Sequence, residues 1–90
     1  MQSIVLIVDD EPASRYGMRR ALEKEGHLIL EAESVSQAEQ IVESRNPHAV
    51  LLDVKLASES GLDYLPSLVS RRLAPVVIIV TAHGSERMAV

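Results

Sequence analysis

Four short apolar runs divide the chain. Ile4-Val5-Leu6-Ile7-Val8 runs into Asp9-Asp10-Glu11-Pro12, Leu28-Ile29-Leu30 into Glu31-Ala32-Glu33-Ser34, Ala49-Val50-Leu51-Leu52 into Asp53-Val54, and Val76-Val77-Ile78-Ile79-Val80 into Thr81-Ala82-His83-Gly84. Continuous runs of this length, rich in β-branched residues and closed by turn formers, predict strands buried on both faces, as in a parallel sheet. The run at Leu28 is shorter and predicts a modest second strand.

Between the runs the apolar spacing changes to that of a helix. Pro12 suits a first helical turn, where its missing N–H costs nothing, and Ala13 to Glu25 keeps Met18, Ala21 and Leu22 among charges until Gly26 supplies a left-handed stop. Ser36-Gln37-Ala38-Glu39 matches a capping box ahead of a stripe of Ala38, Ile41 and Val42, and Asn46-Pro47 ends that segment. Leu62, Leu65, Leu68 and Val69 recur at helical spacing after a weaker cap at Ser60, with Pro66 implying a kink or a later start, and Ser85-Glu86 reads as the opening of one more helix. The order β-α-β-α-β-α-β with a helical stub predicts an α/β domain, a mostly parallel sheet with helices on its faces.

Composition narrows the class. Ninety residues make one domain at most, and 47% apolar content argues for a folded unit. A chain of this size buries only about 60 to 65% of its unfolded surface, so its core is small. With no Cys, Trp or Phe, the packing falls to Leu, Ile, Val and Ala. The lack of cysteine removes disulfides and thiolate metal sites and fits a cytoplasmic location. The first segment has no basic leader and meets two acids after five apolar residues, so it reads neither as a signal peptide nor as a membrane span. A net charge of −4 removes the electrostatic basis for nucleic-acid contact by this segment.

Charge matters most at Asp9, Asp10 and Asp53, which fall at or just beyond the ends of two strands that read as central. In open parallel sheets the ligand crevice lies outside the carboxyl ends of the strands. If those strands are neighbours, about 4.8 Å apart, the acids come within reach of one ion. Two carboxylates about 5 Å apart repel by roughly 3 kcal/mol at an effective dielectric near 20, so the group calls for a cation or a proton. Hard, all-oxygen ligands favour Mg²⁺. A carboxylate beside Mg²⁺ can also attack phosphorus, which makes Asp53 a candidate nucleophile, and Thr81 could offer its hydroxyl to a phosphoryl oxygen. Plainer assignments exist for each. Asp9, Asp10 and Glu11 also suit a helix N-terminus, Thr81 a structural strand end, and His83 a loop; Arg19, Arg20, Glu23, Lys24 and Glu25 suit a solvated helix face with Arg19 and Glu23 attracting.

Taken together, Ile-Val-Leu-Ile-Val-Asp-Asp-Glu-Pro, then Leu-Leu-Asp-Val-Lys-Leu with Gly61 eight residues after Asp53, then Val-Ile-Ile-Val-Thr-Ala, resemble the receiver domain of two-component response regulators from Ile4 onward. The resemblance implies a flavodoxin-like, doubly wound parallel sheet of order 2-1-3-4, with Asp9 and Asp10 as the acidic pair that holds Mg²⁺. It makes Asp53 both metal ligand and phosphate acceptor, Lys55 a metal ligand through its backbone carbonyl, and Thr81 the switch hydroxyl. It further implies a histidine kinase as phosphodonor, an effector domain outside this chain, a transcriptional output, and a regulatory role in place of an enzymatic one.

Two departures from the family pattern stand out. Ala57 occupies a position that is commonly proline, and no counterpart of the lysine-bearing fifth strand or of the last helix precedes Val90. Residues 1–90 are therefore expected to be a receiver domain truncated at the start of its fourth helix, with weakened switching. Its fourth strand is expected to be an exposed edge, so that this edge or the terminal helix joins a homodimer. One rival is an aspartate-nucleophile phosphatase of the haloacid-dehalogenase kind, whose first strand would carry Asp-x-Asp where this chain has adjacent acids. The other is a pseudo-receiver or interaction fragment that takes no phosphate. Neither a dinucleotide-binding glycine loop nor a P-loop is present.

Overall fold

The apolar runs form strands, and their burial follows from their place in one sheet. The computed structural model describes residues 2–53 and 75–80. Its elements are β1 (Ile4–Val8), α1 (Pro12–Glu23), β2 (Leu28–Ala32), α2 (Val35–Arg45), β3 (Ala49–Asp53) and β4 (Val76–Val80). All strand pairings are parallel, and the sheet order is β2-β1-β3-β4. This is the doubly wound α/β arrangement and strand order expected from the sequence. The third helical segment, with Leu62 and Pro66, and the stub at Ser85 lie outside the described residues.

Alternate residues of each strand point to opposite faces, so β1, flanked on both sides, feeds two cores. Leu6 and Val8 join Ala32, Val50 and Leu52 under Ala38 and Val42 of α2. Val5, Ile7 and Ile29 form the other cluster, against which Met18 and Leu22 of α1 pack. Ala21, grouped with them by spacing, is exposed. Among the described residues no helix is long and apolar enough to cross a membrane.

β2 is two residues longer than its apolar run, because Glu31 and Ala32 pair in register with Ile7 and Val8 of β1. Its hydrogen-bonding partner, not its hydropathy, sets its end. At the other end of the sheet, His48 ties three strands. Its Nδ1 accepts from the Ile4 N–H at 3.0 Å, its own N–H donates to the Ile4 carbonyl at 2.8 Å, and its carbonyl accepts from the Val76 N–H at 2.9 Å.

Pro12 opens α1, and the chain leaves it through Gly26 at φ 87, a left-handed conformation that disfavours a Cβ even though space around it is open. α2 starts earlier than its apparent capping box. The cap is Ser34, whose Oγ accepts from the Gln37 N–H at 3.2 Å, while Gln37 Oε1 accepts from the Glu33 N–H at 2.8 Å. Ser34-x-x-Gln37 and Ser36-x-x-Glu39 satisfy the same spacing. The earlier register prevails because it puts Val35 in the first turn, packed against the core beneath α2. Asn46, left-handed at φ 46, then closes the helix. Ser34→Ala is expected to lower stability by about 1 kcal/mol in urea denaturation, with Ser36→Ala close to neutral.

Candidate functional site

The parallel register brings the acids together. Val8 pairs with Leu52, so the next residues, Asp9 and Asp53, leave adjacent strands side by side at the carboxyl edge of the sheet. Asp9, Asp10 and Asp53 each offer a carboxylate oxygen, and these oxygens lie within 4.8 Å of one another. Asp9 is 3% and Asp53 4% exposed, whereas Asp10 faces solvent. The cluster thus joins two buried carboxylates to one exposed one.

Asp9 is held at three atoms. Its N–H donates to the Ala32 carbonyl at 3.0 Å, its Oδ1 accepts from the Glu11 N–H at 2.9 Å, and its carbonyl accepts from Arg15 Nη1 at 2.7 Å. The Glu11 N–H precedes α1, and Glu11 itself makes no side-chain cap bond. Carboxylates this close repel pairwise by roughly 3 kcal/mol at an effective dielectric near 20. Oxygen ligands alone, two of them on buried residues, fit a hard divalent cation of the Mg²⁺ type.

Beside the acids lies a charge network. Arg15 Nε donates to Glu31 Oε1 at 3.1 Å, Arg19 Nη1 donates to Glu31 Oε2, and Arg19 Nε pairs with Glu23 at 3.1 Å. Burial raises the Glu31 pKa, but the hydrogen bonds and charges of Arg19 and Arg15 outweigh it and leave the carboxyl below its usual range. A carboxyl depressed on folding stabilises the fold above its unfolded pKa and loses that contribution as pH falls through its folded value. Wild type should therefore exceed Glu31→Gln in urea midpoint at neutral pH, and the two should converge below the ordinary carboxylate range.

Asp9, Asp10 and Asp53 are thus where the spacing placed them, while Lys55, Ala57, Thr81 and His83 lie outside the described residues. Arg15 and Glu31 were not singled out by sequence. Their one signal is Arg15 and Arg19 at i,i+4 on a helix that precedes an apolar run followed by an acid, and local pairing alone assigns Arg19 to Glu23 instead.

The family model for the response regulator receiver domain matches residues 5–90. The chain is 34% identical over 86 residues to the photosynthetic apparatus regulatory protein RegA of Rhodobacter capsulatus, covering 96% of this chain and 47% of that protein. It is 36% identical over 89 residues to the alginate biosynthesis transcriptional regulatory protein AlgB of Pseudomonas putida, covering 99% of this chain and 20% of AlgB. The solved structure of the MaeR response regulator bound to beryllium trifluoride matches with a TM-score of 0.77 at 32% identity, over 93% of this chain and 70% of that one. The chain spans about half the length of RegA and about a fifth of AlgB. With the acid cluster at the carboxyl edge of a 2-1-3-4 parallel sheet and the family match over nearly all its length, this chain belongs to the response regulator receiver domains of two-component signalling.

Proposed function

We propose that this chain is a phosphoacceptor receiver domain in which Asp53 takes a phosphoryl group from the phosphohistidine of a histidine kinase. The observation that carries this reading is the convergence of Asp9, Asp10 and Asp53 at the ends of two adjacent buried strands. A carboxylate oxygen of Asp53 attacks phosphorus, the P–N bond to the kinase imidazole breaks, and the imidazole leaves with a proton from solvent. Asp9, Asp10, Asp53 and the Lys55 carbonyl would hold Mg²⁺, which when bound would offset the charge on the phosphoryl oxygens. Thr81 gives its hydroxyl to one of those oxygens once the phosphate is in place. MaeR, which takes beryllium trifluoride, a phosphoryl mimic, supports the same use of the site.

Residues 1–90 act on this reading as one receiver unit in the cytoplasm, with no chemistry beyond their own phosphorylation. They control an effector domain outside the chain with a transcriptional output, in keeping with the similarity to AlgB, a transcriptional regulatory protein. Self-association through β4, which among the described residues pairs only with β3, belongs to the same proposal.

Treatment with acetyl phosphate, with and without Mg²⁺, followed by mass spectrometry tests the reading. A Mg²⁺-dependent adduct on Asp53 is expected. Repeated turnover of phosphate esters without an adduct would replace it with a phosphatase, and neither outcome would leave an interaction domain that takes no phosphate.

A further inference from the structure

The Asp9–Asp10 peptide is fastened from outside the acid cluster. Its carbonyl oxygen, that of Asp9, accepts from Arg15 Nη1 at 2.7 Å. That bond sets the tilt of the peptide plane, and the plane sets the direction in which the Asp10 side chain leaves the backbone. Arg15 is itself clamped. Its Nε donates to Glu31 Oε1 at 3.1 Å, its side chain is 15% exposed, and Glu31 is held from its other oxygen by Arg19. Glu31 sits on β2 next to Ala32, whose carbonyl takes the Asp9 N–H. The peptide groups on both sides of Asp9 are therefore tied to the end of β2.

We propose that Arg15, oriented by Glu31, is a positioning residue for the divalent-cation site, holding the Asp9–Asp10 peptide so that both carboxylates face Asp53. The proposal rests on the cation site of the preceding section. Charge alone opposes this role: a guanidinium beside the cluster repels a divalent cation, so its removal would tighten binding. Geometry predicts the reverse. Losing a group that orients a ligand typically weakens metal affinity by about 10- to 100-fold. The two effects differ in sign, which makes the role measurable.

The experiment is Mn²⁺ titration of the full chain, followed by electron paramagnetic resonance and competed with Mg²⁺, for wild type, Arg15→Gln and Arg15→Lys. Circular dichroism and urea midpoints establish that each chain is folded during titration. Arg15→Gln, which removes the charge, and Arg15→Lys, which keeps it but cannot bridge the Asp9 carbonyl and Glu31 in one fork, are both expected to bind at least about tenfold more weakly. Should Arg15→Gln fail to fold, Arg15→Lys decides alone. Unchanged affinity in folded Arg15→Lys, or tighter binding in folded Arg15→Gln, overturns the positioning role while leaving the cation site intact. A lowered urea midpoint with wild-type affinity assigns Arg15 to stability only and also overturns it. A wild-type chain that binds neither ion overturns the site itself, and this inference with it.

Discussion

Asp53→Asn is expected to abolish the Mg²⁺-dependent adduct formed with acetyl phosphate, a fall of several orders of magnitude in phosphorylation rate, because an amide oxygen is a far weaker nucleophile than a carboxylate. The same change should move stability in the opposite direction. Asp53 is 4% exposed and contributes one of three oxygens within 4.8 Å, so neutralising it removes repulsions of roughly 3 kcal/mol each at an effective dielectric near 20. Without metal, the variant should have a higher urea midpoint than wild type. With Mg²⁺ the order should narrow or reverse, since a ligand that binds the folded state alone stabilises it by mass action, and the variant has lost part of the site. An adduct that persists on Asp53→Asn would place the acceptor elsewhere; a lower metal-free midpoint would show that the other contacts of Asp53 outweigh its repulsion with Asp9 and Asp10.

Leu6→Ala should have the largest effect on the fold. Leu6 is fully buried at 0% exposure in β1, the strand that pairs with both β2 and β3, and it packs in the cluster that α2 covers. Truncating a buried leucine costs about 2 to 5 kcal/mol through lost burial and the cavity left behind. Set against a typical stability of about 5 to 15 kcal/mol, and a small domain at the low end of that range, this is enough to leave a measurable unfolded fraction at 37 °C. The expected observation is a large drop in urea midpoint at unchanged slope. Val76→Ala, at a residue 64% exposed on β4, should stay within about 0.5 kcal/mol of wild type and serves as the control.

Features set by local composition are legible in the sequence, and features set by long-range pairing are not. β1, β3 and β4 are legible because each is a continuous apolar run of strand length, and Asp53 is legible as the acid that closes one of them. β2 was undersized in the sequence because Glu31 looks like a terminator. Pairing with Ile7 draws it into the strand all the same. The start of α2 was misplaced by two residues because two overlapping serine boxes satisfy the same local rule, and the burial of Val35 chose between them. Similarly, Arg19 and Glu23 were paired correctly as an i,i+4 contact, yet the more consequential partner of both Arg15 and Arg19 is Glu31, across the α1–β2 connection.

Local composition and period suffice to mark the strand segments, their alternation with helices, and the acids at the ends of two of them. The folded sheet alone makes β1 and β3 neighbours in matched register, which turns separate acids into one group of oxygens. Tertiary folding likewise brings Arg15 back from α1 to the Asp9 carbonyl with Glu31 behind it. The physical reason is the same in both cases. Register and long-range hydrogen bonds are set by which strands share a ladder, and no residue in a strand states its partner.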